Sequence, residues 1–176
     1  MPYRKPAPLA EDHMLDGFSS GKPMLDDWLR DMALYNQQQG YSRTFVIADE
    51  NNEVVGYHSL CAGMISRNDT PRQVKGKQAP AQIPVALLAR LAVDEKHQGQ
   101  GLGAALLKNA LLSVVSAAQA VAFRAVMVHA LDKESETFYR KFGFLDAKGI
   151  EGTLLLPTQG IMASMREAMP SEDKIA

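Results

Sequence analysis

The sequence predicts a mixed domain of the α/β (α+β) class. Apolar runs of strand length alternate with amphipathic helical stretches. One glycine-rich turn at the centre of the chain joins a strand to an Ala/Leu-rich helix. A length of 176 residues suits a single domain, spanning 1–176, with its core over about residues 15–156.

The elements follow in order. The Pro- and charge-rich start reads as an irregular lead-in or short edge strand. Leu25, Trp28, Leu29, Met32 and Ala33 have the spacing of one buried helix face, and that helix is expected to end near Gly40 as its C-cap. Thr44–Ala48 and Val54–Leu60 read as strands joined by a turn at 49–52, a hairpin. Residues 66–84 mix Arg67, Arg72, Lys75 and Lys77 with Pro, Gly and Gln, and are expected to be the least structured part, a solvated connector or a loop over a substrate site.

Val85–Val93 is a mostly apolar run, as expected of a central strand; Arg90, its one charge, requires a partner or a wet cleft. The helix over about 101–118 is apolar except for a stripe of Lys108, Asn109, Ser113, Ser116 and Gln119. Phe123–Ala130 is a strand, Ser135–Phe142 a short helix with Asp132 or Ser135 as N-cap, and Gly143 its C-cap. Strands near 144–145 and Thr153–Leu156 close the core, with a fraying end over 171–176.

Composition narrows the function. Lys+Arg at 19 against Asp+Glu at 20 gives a net charge of -1, so no global basic footprint advertises nucleic acid. A lone cysteine, Cys61, forms no internal disulfide and reads as a small buried residue in a reducing compartment. The chain has no apolar run of about 18 residues and no secretory segment at its start, which predicts a cytoplasmic protein without a membrane partner. No His/Cys/carboxylate spacing suggests a metal site.

The central turn carries the chemistry. After the strand ending in Leu91-Ala92-Val93 come four polar residues, then Gln98-Gly99-Gln100-Gly101-Leu102-Gly103-Ala104 and the helix. Unpaired N–H groups at the positive end of a helix dipole hold a pyrophosphate, and glycines let the backbone approach it. The pattern also fits a dinucleotide fingerprint. Against that rival, residues 94–97 separate the strand from the glycines, and no acidic residue ends a strand about 20 residues on.

The turn resembles the Gln/Arg-x-x-Gly-x-Gly/Ala motif of the GCN5-related N-acetyltransferases (GNATs), with Gln98, Gly101 and Gly103 in register. Phe138-Tyr139-Arg140-Lys141-Phe142-Gly143-Phe144 resembles the Ala-x-x-x-Tyr-x-x-x-Gly-Phe helix that closes the cofactor site of the same family. The resemblance implies acetyl-CoA as the only cofactor, and a largely antiparallel sheet splayed at the cofactor cleft with helices on both faces. It also implies roles. Backbone groups of Leu91, Ala92 and Val93 hold the pantetheine arm, and the Leu91 N–H polarises the acetyl carbonyl. Amides from Gln98, Gly99, Gln100, Gly101, Leu102, Gly103 and Ala104 cradle the pyrophosphate. Tyr139 protonates the departing thiolate; by residue type alone it reads rather as a core aromatic beside Phe138 and Phe142, and the motif position reverses that.

Two positions depart from the family pattern. Leu87 stands where histone-type members carry a glutamate base, and Asp132 where many carry Asn. His97 reads as a loop residue beside the phosphates, His129 as a strand-end residue near the cleft; His13 and His58 have no supporting neighbours.

The N-terminal half resembles the toxin branch of the family. Its motifs here are Phe18, Gly21, Leu25-Asp26 and Trp28-Leu29, then Arg43-Thr44-Phe45-Val46, Val55-Gly56-Tyr57, Arg90-Leu91-Ala92-Val93 and Met127-Val128-His129-Ala130-Leu131. That implies acetylation of the α-amine of aminoacyl-tRNA, a ribbon-helix-helix antitoxin and a homodimer. The alternatives are acetylation of a small-molecule or protein amine, and a non-enzymatic acyl-CoA-binding or partner-binding module.

Overall fold

A computed structural model describes residues 2–161, so the fraying expected over 171–176 lies outside the described residues. The described residues form two compact units, 2–61 with 88–110, and 62–87 with 111–161.

The first unit opens with β1 (Ala7–Pro8), followed by α1 (Pro23–Asp31) and α2 (Ala33–Gln39). Sequence periodicity predicted one helix here. The backbone leaves helical geometry at Met32 (φ -123°), and Met32 is 42% exposed rather than part of the buried face. Pro23 starts α1, where its missing N–H costs nothing. Gly40 closes α2 in the left-handed conformation, as expected.

β2 (Arg43–Ala48) and the start of β3 (Val54–Ser66) form the predicted antiparallel hairpin. Its turn is held by the Asp49 carboxylate, which accepts from the N–H groups of Asn51 and Glu53. β3 runs six residues past the predicted end at Leu60. Leu25, Leu29 and Ala33 pack with Phe18, Val46, Tyr57 and Ala92 in one core; Ile47, Val55, Leu102 and Leu106 form another.

The second unit corrects the expectation for residues 66–84. A 3-10 turn at Arg67–Asp69 and the short α3 (Arg72–Lys75) give this stretch structure, and β4 (Gln82–Val93) starts earlier than predicted. The segment is tied down rather than loose. Val74 is fully buried, Arg67 donates to the Ala79 carbonyl, and the Arg124 Nε donates to the Val74 carbonyl at 2.7 Å.

The glycine turn is followed by α4 (Leu102–Ala117); then come β5 (Ala125–His129), α5 (Lys133–Lys141), β6 (Leu145–Asp146) and β7 (Thr153–Pro157). The seven strands lie in the order β1-β2-β3-β4-β5-β7-β6. β1–β2, β2–β3, β5–β7 and β6–β7 are antiparallel. Among the described residues no helix is long and apolar enough to cross a membrane.

Candidate active site

In the first unit, β4 ends at Val93 and Asp94 takes over the backbone. Asp94 is buried; one carboxylate oxygen accepts from the Lys96 N–H and the other from the Ser19 N–H. It thereby caps a 3-10 turn at Glu95–His97 and pins it to the segment before α1. Gly99 and Gly101 follow with φ of +79° and +83°, conformations costly for any residue with a side chain. A Cβ at either would meet nothing within 4 Å. These glycines serve the backbone conformation and leave open space above the turn.

Among the described residues, no backbone acceptor takes the N–H groups of Gln98 to Ala104. The helix's own ladder starts only with Ala105 N–H on the Gly101 carbonyl at 3.1 Å. Gln98, Gly99, Gln100 and Gly101 are exposed, Leu102 is buried, and Gly103 and Ala104 are half-buried. Exposed amides at the positive end of a 16-residue helix, with no acidic side chain in its first turn, fit a pyrophosphate.

Anchors hold this turn from outside. The Gln98 side-chain amide donates to the carbonyls of Val93 at 2.9 Å and Ser20 at 3.2 Å, so this side chain positions the loop. The Tyr3 hydroxyl lies 2.8 Å from His97 Nδ1 and donates to Gln100 Oε1 at 2.8 Å. Its ring meets the His97 ring edge-on and packs against the core under α4. Tyr3 carries no signal in the sequence, because nothing near it in the chain points to a loop over 90 residues away. Leu91 and Val93, whose backbone is expected to receive the pantetheine arm, are half-buried, and Ala92 is buried.

Arg90 has the partner its position demanded. Its guanidinium lies 3.9 Å from the centre of the Trp28 ring. Trp28 stacks on Tyr57 in turn, at 6.1 Å and 15° between ring planes, and the Tyr57 hydroxyl donates to the Leu25 carbonyl. Cys61 is half-buried rather than buried, and burial pushes its thiol up while Arg90 pulls it down.

His58, which looked unsupported, is fully buried on β3. Its Nε2 donates to Asn109 Oδ1 of α4 at 2.7 Å, the ring stacks on Phe45, and Nδ1 has no partner among the described residues. Burial depresses its pKa to about 4.

In the second unit, Tyr139 sits in the last turns of α5, 7% exposed, with Phe138 and Phe144 against its ring. Its hydroxyl has no hydrogen-bond partner among the described residues, unlike that of Tyr57. Burial raises the phenol well above its usual value near 10. This group is protonated at any physiological pH. Asp132, not Ser135, is the N-cap of α5: its Oδ1 accepts from Ser135 N–H at 2.8 Å. An Asn would cap equally well, so the departure from Asn keeps the cap. Leu87 is half-buried against the core of this unit and offers no base. His129 is exposed, and its Nδ1 lies 2.8 Å from Thr153 Oγ1.

Comparison with known proteins bears on the family and the fold. Residues 41–145 match the acetyltransferase (GNAT) domain family. The chain is 44% identical over 142 residues to a tRNA-acetylating toxin of Mycobacterium tuberculosis (strain ATCC 25618 / H37Rv), covering 81% of this chain and 84% of that protein. Among solved structures it resembles AtaT complexed with acetyl-methionyl-tRNAfMet, at TM-score 0.84 and 31% identity, covering 90% of this chain and 97% of the other. It also resembles an AtaT mutant toxin bound to the C-terminus of the antitoxin AtaR and acetyl-CoA, at TM-score 0.80 and 28% identity, covering 94% and 99%.

Proposed function

Because the chain belongs to the GNAT N-acetyltransferases, in the branch that holds the tRNA-acetylating toxins, we propose that it acetylates the α-amine of aminoacyl-tRNA and so blocks translation. The observation that carries this reading is the 44% identity to such a toxin across most of both chains. The open amides of the glycine turn and the shielded hydroxyl of Tyr139, without a hydrogen-bond partner among the described residues, are what that chemistry needs.

Acetyl-CoA supplies an activated acetyl thioester. The amides of Gln98 to Ala104 bind its pyrophosphate, and backbone groups of Leu91, Ala92 and Val93 align its pantetheine arm. The Leu91 N–H donates to the acyl oxygen, where one such fixed donor is worth roughly 3 kcal/mol as negative charge develops. The amine nitrogen bonds to the acyl carbon as the C–S bond breaks. Tyr139 gives its phenolic proton to the departing thiolate and recovers one released from the amine through water. Dry surroundings raise the phenol, and they raise a thiolate leaving beside it in the same direction.

No side chain replaces the missing glutamate at Leu87. An α-amine with a pKa near 7.7–8.0 needs none, because a substantial fraction is already neutral near pH 7. A lysine amine near 10.4 would not react this way. This favours the aminoacyl ester over a protein lysine as acceptor.

As a toxin it requires an antitoxin. We assign that role to a ribbon-helix-helix protein whose C-terminal segment docks on the enzyme, as the AtaR C-terminus binds AtaT. We further propose a homodimer acting in the cytoplasm, where charged tRNA is used.

The test is label transfer from radioactive acetyl-CoA to a pool of charged tRNA, with deacylated tRNA and a panel of small amines alongside. Label on charged tRNA alone, lost in Tyr139→Phe, is the expected result. Label on small amines only would make the chain a metabolic acetyltransferase. Acetyl-CoA binding without any acceptor would leave a binding module.

A further inference from the structure

Arg90 and Trp28 form a fixed cation that the reaction so far described does not use. The guanidinium lies over the Trp28 ring, and Trp28 is held by stacking on Tyr57, whose hydroxyl is tied to the Leu25 carbonyl. Two side chains thus hold one charge in place. Stacking on an aromatic face leaves the N–H edge of a guanidinium available, because the donors lie in the plane of the group.

Among the described residues that edge meets no anion. Among the described residues no carboxylate forms an ion pair with Arg90 and no acceptor takes its N–H groups. Asp26, the acid that acts on Tyr57, is committed to Ser20, accepting from its N–H at 3.0 Å and its hydroxyl at 2.6 Å. The groups acting on Arg90 are Tyr57 and Cys61, both neutral at physiological pH, and burial destabilises its charge. A half-buried cation without a counter-ion is costly unless a ligand supplies the anion.

Position identifies the ligand. Arg90 directly precedes Leu91, one step of about 3.8 Å along the strand from the residue whose N–H marks the acyl oxygen. In an aminoacyl-tRNA, the reacting amine is esterified to the terminal ribose, and the nearest anions are the phosphodiesters of the last nucleotides. A planar fork suits such an anion and reads it bidentately.

We propose that Arg90, held flat by Trp28, binds a phosphodiester at the 3′ end of the acceptor tRNA and thereby places the amine at the thioester. The inference rests on aminoacyl-tRNA being the acceptor. Arg90 is a positioning residue that leaves bond-breaking to others, and Trp28 fixes its orientation.

The test compares wild type with Arg90→Met, which keeps an unbranched apolar side chain on Trp28 and removes only charge and donors, and with Arg90→Lys. Binding of deacylated tRNA is followed across a salt series, together with steady-state acetylation of charged tRNA. Arg90→Met is expected to raise the KM for charged tRNA roughly ten- to hundredfold, as loss of a charged hydrogen bond does. The KM for acetyl-CoA is expected to stay put, and the thermal midpoint to fall by no more than about 4 °C. The slope of log K against log salt is expected to lose about 0.7, the share of one phosphate on a single strand. Arg90→Lys should recover the slope and only part of the affinity.

An unchanged salt slope in Arg90→Met would overturn the inference while leaving the acceptor assignment intact. A rise confined to the KM for acetyl-CoA would move the anion to the cofactor's phosphates and equally overturn it. Wild-type enzyme that acetylates no charged tRNA would overturn both the acceptor assignment and this inference.

Discussion

Lowering the pH from 7 to 5 tests the burial of His58 directly. In the unfolded chain its imidazole titrates near 6.5; in the fold, burial against Phe45 holds it at about 4. Between those values the unfolded state binds a proton that the folded state refuses, so stability falls as pH falls through the window. Integrating the two titrations gives a loss of about 2 kcal/mol between pH 7 and 5, and about 3 kcal/mol by pH 4. Carboxylates contribute their own acid dependence, so the measurement is differential. Urea unfolding of wild type and His58→Gln is followed at pH 7, 6 and 5; the Gln amide retains a donor for Asn109 but does not titrate. The wild type should lose about 2 kcal/mol more than the variant over this range. Parallel pH dependences would refute the reasoning, since they would mean that His58 titrates alike in both states. The site bears on the proposed function because the His58–Asn109 bond joins β3 to α4, whose N-terminal amides are proposed to bind the anion.

Three further outcomes follow from the site. Tyr139→Phe should lower kcat roughly a hundredfold or more while calorimetry finds acetyl-CoA affinity unchanged, since only the proton donor is lost. Gly101→Ala should weaken acetyl-CoA roughly five- to thirtyfold in the same titration, through backbone strain alone at φ +83°, because an added Cβ there meets no neighbour. Tyr3→Phe removes the hydroxyl shared by His97 and Gln100; acetyl-CoA affinity should fall about three- to tenfold with the melting temperature within a few degrees of wild type.

What the sequence made legible was local. The hairpin followed from alternating residues around a turn built on Asp49, and Gly40 and Gly143 marked helix ends because a left-handed residue must stand there. The glycine turn was legible for the same reason, as a local run of glycines between a strand and a helix. Contacts distant in sequence were not. Nothing beside Arg90 announces Trp28, and nothing beside His58 announces Asn109, because each pair meets only once β3, β4 and the helices have packed. The stretch over 66–84 misled in the opposite way. Its Pro, Gly and charges look like a solvated loop, yet Val74 is buried and Arg124, fifty positions on, donates to its carbonyl. One helix was predicted over residues 25–39 because an apolar period of 3.6 survives a single non-helical residue. The break at Met32 is set by backbone angles to which the pattern is blind.

The anchors of the glycine turn show how a flexible motif becomes a tight site. Glycine loses the most conformational freedom on folding, so a turn with Gly99, Gly101 and Gly103 left free would bind an anion weakly, since the ligand would have to order it. Here that ordering is done by the fold. Asp94 fixes the entry through Ser19 and Lys96, Gln98 ties the middle to Val93 and Ser20, and Tyr3 holds His97 and Gln100 from above. Ser19, Ser20 and Tyr3 all precede residue 41, where the match to the acetyltransferase domain begins. The amides that would bind the cofactor therefore belong to the shared domain, while much of the rigidity that makes them effective is supplied by the segment in front of it.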